Sequence, residues 1–242
     1  MSLSIIILSY NTKDLVINCL KSLIGQYTDE LEKGLFEIIV VDNASADNSF
    51  KTLSDFAKNH KNIEVIQSQE NLGFGRGCNL GEEKAKGEYI LFLNSDTQVN
   101  DRSFLEMLEF ANSKNVGIVG GKIYFPDGKV QKSAGKFYTL PNFLLMILGF
   151  ERLGFLKSSP DKIKKVDWVS GAFMLVKKSI FDKIGKFDKN IFMYIEDMEL
   201  CFRAKKQGIQ TYFFPQSKVF HREHGSSSRS FAIKNIFEEI LY

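Results

Sequence analysis

SIIILSYNTKDLVINCLKSLI (residues 4–24), followed by FEIIVVDN (residues 36–43), is the stretch whose reading decides the fold. Residues 4–8 form a short, β-branched apolar run. Residues 12–24 then place Leu15, Val16, Cys19, Leu20 and Leu23 at helical spacing, and residues 36–41 are again a buried strand. The alternation continues along the chain. Residues 46–59 read as a helix with Phe50, Leu53, Phe56 and Ala57 on one face, and residues 63–67 as a strand. A glycine-rich entry opens a helix from Gly73 to about Lys86, residues 88–93 form a strand, and Asp101 or Ser103 caps a helix to Asn112 before a strand beginning at Val116. Strand–helix alternation at this period predicts an α/β fold with a parallel sheet and helices on both faces. Such sheets bind ligands outside the carboxyl ends of their strands. Those ends carry Ser9-Tyr10-Asn11, Asp42-Asn43, residues 68–71 and Asn94-Ser95-Asp96.

The second half has a different texture. Residues 122–167 show few clear periods and contain Pro126, Pro141 and Pro160. Residues 168–176 are apolar and interrupted by Gly171, residues 179–184 form a short helix, and a helix over 198–207 ends at Gly208. Strands are expected at 210–214 and 218–220, and an amphipathic helix at 231–241.

Composition excludes several classes. The net charge of +3 over 242 residues is too small for a nucleic-acid binder. Three widely spaced cysteines without a CxxC argue against a disulfide framework or structural zinc and suit a reducing cytoplasm. The apolar start reads as a strand rather than a signal peptide. The apolar run at 143–150 is far short of a membrane span; it is read as a buried helix over the second substrate's site, with a peripheral membrane contact as the alternative.

Five constellations can carry chemistry, and each also has a purely structural reading. Asp42, at a strand end, can accept hydrogen bonds from a base or ribose, or make an Asx turn. In NLGFGRGCNLG (residues 71–81) the glycines admit a ligand to the backbone and Arg76 can meet a phosphate; they equally suit close helix–sheet contacts. Asn94-Ser95-Asp96 suits Mg²⁺ or Mn²⁺ bridging phosphates, or is a turn. Glu196 and Asp197 begin a helix whose positive end should keep a carboxylate ionised, as a general base requires; acidic N-terminal residues are also ordinary helix caps. His221 and His224 offer imidazole ligands, but HxxH without further ligands is no zinc signature.

The order of these blocks is more telling than any one of them. SIIILSYN, EIIVVDNAS, NLGFGRGCNLG, YILFLNSDT, WVSGAFMLVKKSIFDKIGKFDKNIFMYIEDMELCFRAKKQG and VFHREHGSS together closely resemble the family 2 inverting glycosyltransferases of the GT-A fold, in particular the bacterial rhamnosyltransferase-like branch. The likeness runs from Ser4 to about Ser228. It implies a mostly parallel central sheet flanked by helices in one domain over 1–242: a nucleotide-binding half (1–121), an acceptor-side half (122–228) and a C-terminal amphipathic helix (229–242) at which relatives commonly continue, so that a truncated C-terminus is expected. It implies that Ser9, Tyr10, Asn11 and Asp42 hold the nucleoside of a nucleotide-diphospho-sugar donor, with Asn71, Gly73 and Asn79 shaping the pocket. Asn94 and Ser95 lie beside Asp96, which would ligate the divalent cation with His221 as companion. Trp168 and Gly171 would line the sugar pocket, and Asp197 would be the base, with Glu196 beside it. The acceptor would be a glycan or lipid-linked saccharide of cell-surface polysaccharide synthesis, met in the cytoplasm or at the cytoplasmic membrane face. Two departures stand out: Asn94 replaces the first Asp of a strict DXD motif, and Cys78 stands where many relatives have Arg. The competing readings are a sugar-phosphate nucleotidyltransferase, whose glycine-rich basic signature is absent from Leu8-Ser9-Tyr10-Asn11, and a non-catalytic nucleotide-sugar-binding module.

Overall fold

Strand β1 (Leu3–Ser9) is buried on both faces, as a central parallel strand must be. Side chains alternate across a strand. Leu3, Ile5 and Ile7 therefore enter one apolar core while Ile6 enters another on the opposite face. The computed structural model describes residues 2–139 and 156–222. After β1 come α1 (Lys13–Glu32), β2 (Phe36–Asp42), α2 (Ser49–Ala57), β3 (Ile63–Gln67), α3 (Gly73–Glu82), β4 (Tyr89–Asn94), β5 (Thr97–Gln98), α4 (Ser103–Ser113) and β6 (Ile118–Tyr124). The second half adds β7 (Val130–Gln131), β8 (Ala134–Gly135), β9 (Lys157–Ser158), β10 (Lys164–Val166), β11 (Trp168–Val169), β12 (Phe173–Lys177), α5 (Lys178–Ile184), α6 (Glu196–Lys206) and β13 (Thr211–His221).

One large sheet runs in the order β10-β13-β6-β12-β4-β1-β2-β3, with β5 added on β13 and β7 on β6. Strands β4, β1, β2 and β3 are parallel, as the alternation predicts. β12 then enters antiparallel between β4 and β6, and β13 returns parallel to β6. A smaller sheet, β11-β8-β9, stands beside it. The first core is closed by Val16, Leu20, Leu23 and Tyr27 of α1 and by Phe104 and Met107 of α4. The second is closed by Cys78 of α3, Phe181 of α5, and Leu200, Cys201 and Ala204 of α6.

The differences from the sequence reading have local causes. Helix α1 extends to Glu32 rather than stopping at 24, bending at Tyr27 (φ −122°). Tyr27 is buried there, and its hydroxyl accepts from Phe104 N–H and donates to Asp101 O, which anchors the extra turns. The strands expected at 210–214 and 218–220 are one strand, β13, whose register against β6 shifts between Phe214 and Lys218. Pro215 lies in that gap; it has no N–H for the ladder, so an irregularity is where a strand tolerates it. The helix begins at Glu196, not 198, so both acidic residues sit in its first turn. The segments at 143–150 and 231–241, and His224, lie outside the described residues.

The two cores leave little slack where β6 lies beside β12. A Cβ on Gly121 would stand 2.0 Å from the Phe173 ring and 2.8 Å from the Ser217 carbonyl oxygen. Gly121→Ala is therefore expected to destabilise the fold by about 1–3 kcal/mol, the usual range for overpacking. Urea unfolding checks this, and an unchanged midpoint would contradict the packing described.

Candidate active site

The carboxyl ends of β1, β2 and β4 lie side by side, because Leu8 is in register with both Val41 and Asn94. The loops leaving these ends are tied together by short polar side chains. Asn11, at φ +54°, accepts the Ala46 N–H on Oδ1, while its own N–H donates to Ser45 Oγ at 2.8 Å. Ser9, Thr12 and Ser95 form a hydroxyl chain, with Oγ–Oγ1 and Oγ1–Oγ separations of 3.2 and 3.3 Å. Tyr10 projects from the same edge, 38% exposed.

Asp42 is fully buried at the end of β2. Its Oδ2 accepts the N–H of Ser45, three residues on, and Gln67 Nε2, both at 3.3 Å. Its Oδ1 has no hydrogen-bond partner among the described residues. A buried acceptor left without a donor is costly, which makes Oδ1 the candidate atom for a ligand contact. Next to it, Asn43 binds Asn71 Oδ1 and Gly73 O through Nδ2, and accepts Leu72 N–H on Oδ1. Asn43 thus holds the loop that enters α3. The sequence reading treated it as a turn residue; its position directly after Asp42 was the available signal.

The glycine-rich block serves packing. Cβ atoms on Gly77 and Gly81 would lie 2.4 Å from Leu8 and 2.7 Å from Ile6, so α3 can approach the sheet only without side chains there. Gly73, at φ +73°, lies against Phe192: a Cβ would come within 2.2 Å of the Phe192 carbonyl oxygen, which accepts Phe74 N–H at 2.9 Å. Asn79 grips the backbone of Phe187 in both directions, at 2.9 and 3.1 Å. These contacts seat the loop between α5 and α6 on the first half of the chain. Arg76 is exposed and paired to Glu70 at 2.9 Å, a surface ion pair worth little stability.

That loop delivers Asp197. Tyr194 has φ +88°, a conformation uncommon for an aromatic residue and costing on the order of 1–3 kcal/mol. It turns the chain into α6. Asp197 Oδ2 then accepts the Gly171 N–H at 2.9 Å and Oδ1 the Met198 N–H at 2.7 Å. Burial is the largest influence on this carboxyl and raises its pKa above the usual Asp value; the amide hydrogen bonds and the charge of Lys157 oppose it without reversing it. The helix end is expected to favour the ionised form, and burial acts against it. A raised pKa makes a stronger base once ionised. Glu196 is buried, with its Cβ near Gly75 on α3, so the two adjacent acids look into different surroundings. Trp168 is also buried and spends its indole N–H on Lys136 O at 3.1 Å, while Gly171 contacts the candidate base itself.

The third group lies at the end of β4. Asn94 is half-buried, and Ser95 and Asp96 are buried. β5 pairs with the end of β13, which brings His221 to Asp96: Nε2 lies 3.1 Å from Asp96 Oδ1 and 3.0 Å from Asn94 Nδ2. Two adjacent ligands of an octahedral cation with bonds near 2.1 Å stand roughly 3 Å apart. The donor pair would suit Mg²⁺ or Mn²⁺ only if phosphate oxygens or water supplied the remaining ligands. Among the described residues no cluster of three or more His, Cys, Asp or Glu could hold a metal alone.

The sequence model for glycosyl transferase family 2 matches residues 4–185. This chain belongs to that family. It is 29% identical to the low-salt glycan biosynthesis hexosyltransferase Agl10 of Haloferax volcanii over 86% of this chain and 62% of that protein. It is likewise 29% identical to the rhamnosyltransferase WbbL of Escherichia coli over 95% of this chain and 86% of that one. Among solved structures, GalNAc-T7 with UDP, GalNAc and Mn²⁺ superposes with a TM-score of 0.72 at 17% identity, covering all of this chain and 48% of that one. The fold is GT-A. The family 2 match takes in Asp42, Asp96 and Gly171 but stops before Asp197 and His221. For those two residues the geometry above is the independent support.

Proposed function

We propose that this family 2 chain transfers a sugar from a nucleoside-diphosphate donor, dTDP-rhamnose or a UDP-sugar, to a glycan or lipid-linked acceptor with inversion at the anomeric carbon. The observation that carries the reading is Asp197: a carboxylate of raised pKa, aimed by the N–H groups of Met198 and of Gly171, whose neighbour Ala172 accepts the Asn94 N–H at the end of β4. Asp42 Oδ1 supplies a buried acceptor for a ribose hydroxyl or base N–H, and exposed Tyr10 a face for the base. Asp197 takes the acceptor hydroxyl proton as that oxygen attacks, and the nucleoside diphosphate leaves from the opposite side. Asp96 and His221 would hold a divalent cation, which supplies charge compensation to the diphosphate. Three free, buried cysteines suit a cytoplasmic setting.

The test is turnover of purified protein with dTDP-rhamnose and UDP-sugars in Mn²⁺. Free nucleoside diphosphate and a product of inverted anomeric configuration are expected. Release of pyrophosphate would replace this reading with nucleotidyl transfer. Nucleotide-induced thermal stabilisation without any donor consumption would leave a binding module.

A further inference from the structure

His221 is held from two sides. Nε2 faces Asp96 and Asn94, and Nδ1 lies 2.9 Å from Gln131 Oε1. A neutral imidazole has one N–H and one lone pair, and an amide oxygen can only accept. The Gln131 contact therefore places the proton on Nδ1. The Nε2 lone pair is then directed at Asn94 Nδ2, which can donate to it, and at Asp96 Oδ1, which cannot. In the neutral ring, a lone pair and a carboxylate oxygen 3.1 Å apart repel unless a proton or a metal cation comes between them.

The location of Gln131 is not accidental to the strand order. It lies on β7, paired with Ile123 of β6, while Val130 pairs with Tyr124. The short hairpin between them is closed by Phe125 N–H to Lys129 O and Gly128 N–H to Phe125 O. Tyr124 is in register with Phe220, next to His221 on β13. The strand that fixes the imidazole backbone also fixes the residue that orients its ring.

We propose that Gln131 is a positioning residue: its amide oxygen holds His221 in the Nδ1–H tautomer and reserves Nε2 for a divalent cation shared with Asp96. Such outer hydrogen bonds fix ring orientation and typically change metal affinity 10–100-fold. A neutral amide does this without adding charge beside the donor. The proposal rests on the cation reading above, but the tautomer belongs to the metal-free protein, so the two can fail separately.

Long-range ¹H–¹⁵N correlation of the metal-free protein, with His221→Gln to assign the signal, reads the tautomer directly. The expected result is Nδ1–H in the wild type and a shift toward Nε2–H in Gln131→Leu, where Asp96 becomes the best acceptor. Mn²⁺ titration by EPR in the presence of UDP should show about 10–100-fold weaker binding in Gln131→Leu and near-wild-type binding in Gln131→Glu, which restores an acceptor. An Nε2–H tautomer in the wild type, or unchanged Mn²⁺ affinity in a folded Gln131→Leu, would overturn the proposal. Wild-type protein that holds Nδ1–H but binds no Mn²⁺ with UDP would overturn the cation reading beneath it.

Discussion

Asp197→Asn is expected to lower kcat for sugar transfer by about 10²–10⁴-fold, the usual contribution of a positioned acid or base, while leaving donor binding nearly unchanged. Asparagine has the same shape and keeps one oxygen to accept Gly171 or Met198 N–H. It cannot take a proton from the acceptor hydroxyl. Transition-state stabilisation is lost, and the nucleotide contacts at Asp42 are not touched. Wild-type turnover in the folded variant would remove Asp197 from the chemistry. The same carboxyl predicts a pH dependence. Burial raises its folded pKa, so the acid limb of kcat should lie above the range of an ordinary aspartate, and it should disappear in Asp197→Asn. The stability effect has a matching sign. A carboxyl whose pKa rises on folding favours the native state fully below its unfolded pKa, and that contribution is lost as pH rises through the folded value. Asp197→Asn should therefore gain stability relative to wild type across that window. Urea melts at acid and neutral pH measure the difference, and a parallel pH dependence in the two proteins would contradict the raised pKa.

Chelation is expected to abolish transfer and added Mn²⁺ or Mg²⁺ to restore it. Removing charge stabilisation from a leaving group typically costs on the order of 10²–10³ in kcat. Asp96→Ala and His221→Ala should each raise the Mn²⁺ concentration needed for half-maximal rate, since their side chains approach within 3.1 Å at Oδ1 and Nε2. Because Asn94 donates rather than carrying a charge, Asp96 is the carboxylate of the pair, and its loss should be the more severe. Full activity in EDTA would sink the assignment.

Asp42 stands out because a polar residue at the end of an apolar strand is a local signal; in the structure its Oδ2 accepts the Ser45 N–H while Oδ1 has no partner among the described residues. Asp96 was legible for the same reason. The glycines of residues 71–81 were visible, but their use was not. Both ligand approach and close packing demand a missing side chain, and only the positions of Leu8, Ile6 and Phe192 decide for packing. Asn79 was expected at the nucleotide pocket, whereas its amide is occupied by the Phe187 backbone. Thr12, Tyr194 and Gln131 carry no such signal, because an isolated Thr, Tyr or Gln has no distinguishing pattern in one sequence.

By itself the amino-acid sequence determined the parallel first half, the buried strands and the line of polar residues at their carboxyl ends. The periods that encode them, 2 for strands and 3.6 for helices, are properties of neighbouring residues. It also determined that an acidic pair opens a late helix. The tertiary structure alone decided that β12 enters the sheet antiparallel and that β13 carries His221 back to β4. It likewise put Asp197 on the Gly171 amide and in a setting where burial raises its pKa. The physical reason is that pairing partners and desolvation depend on which distant segments become neighbours. Asn94 and His221, 127 residues apart in the chain, touch only because the strand order brings them there.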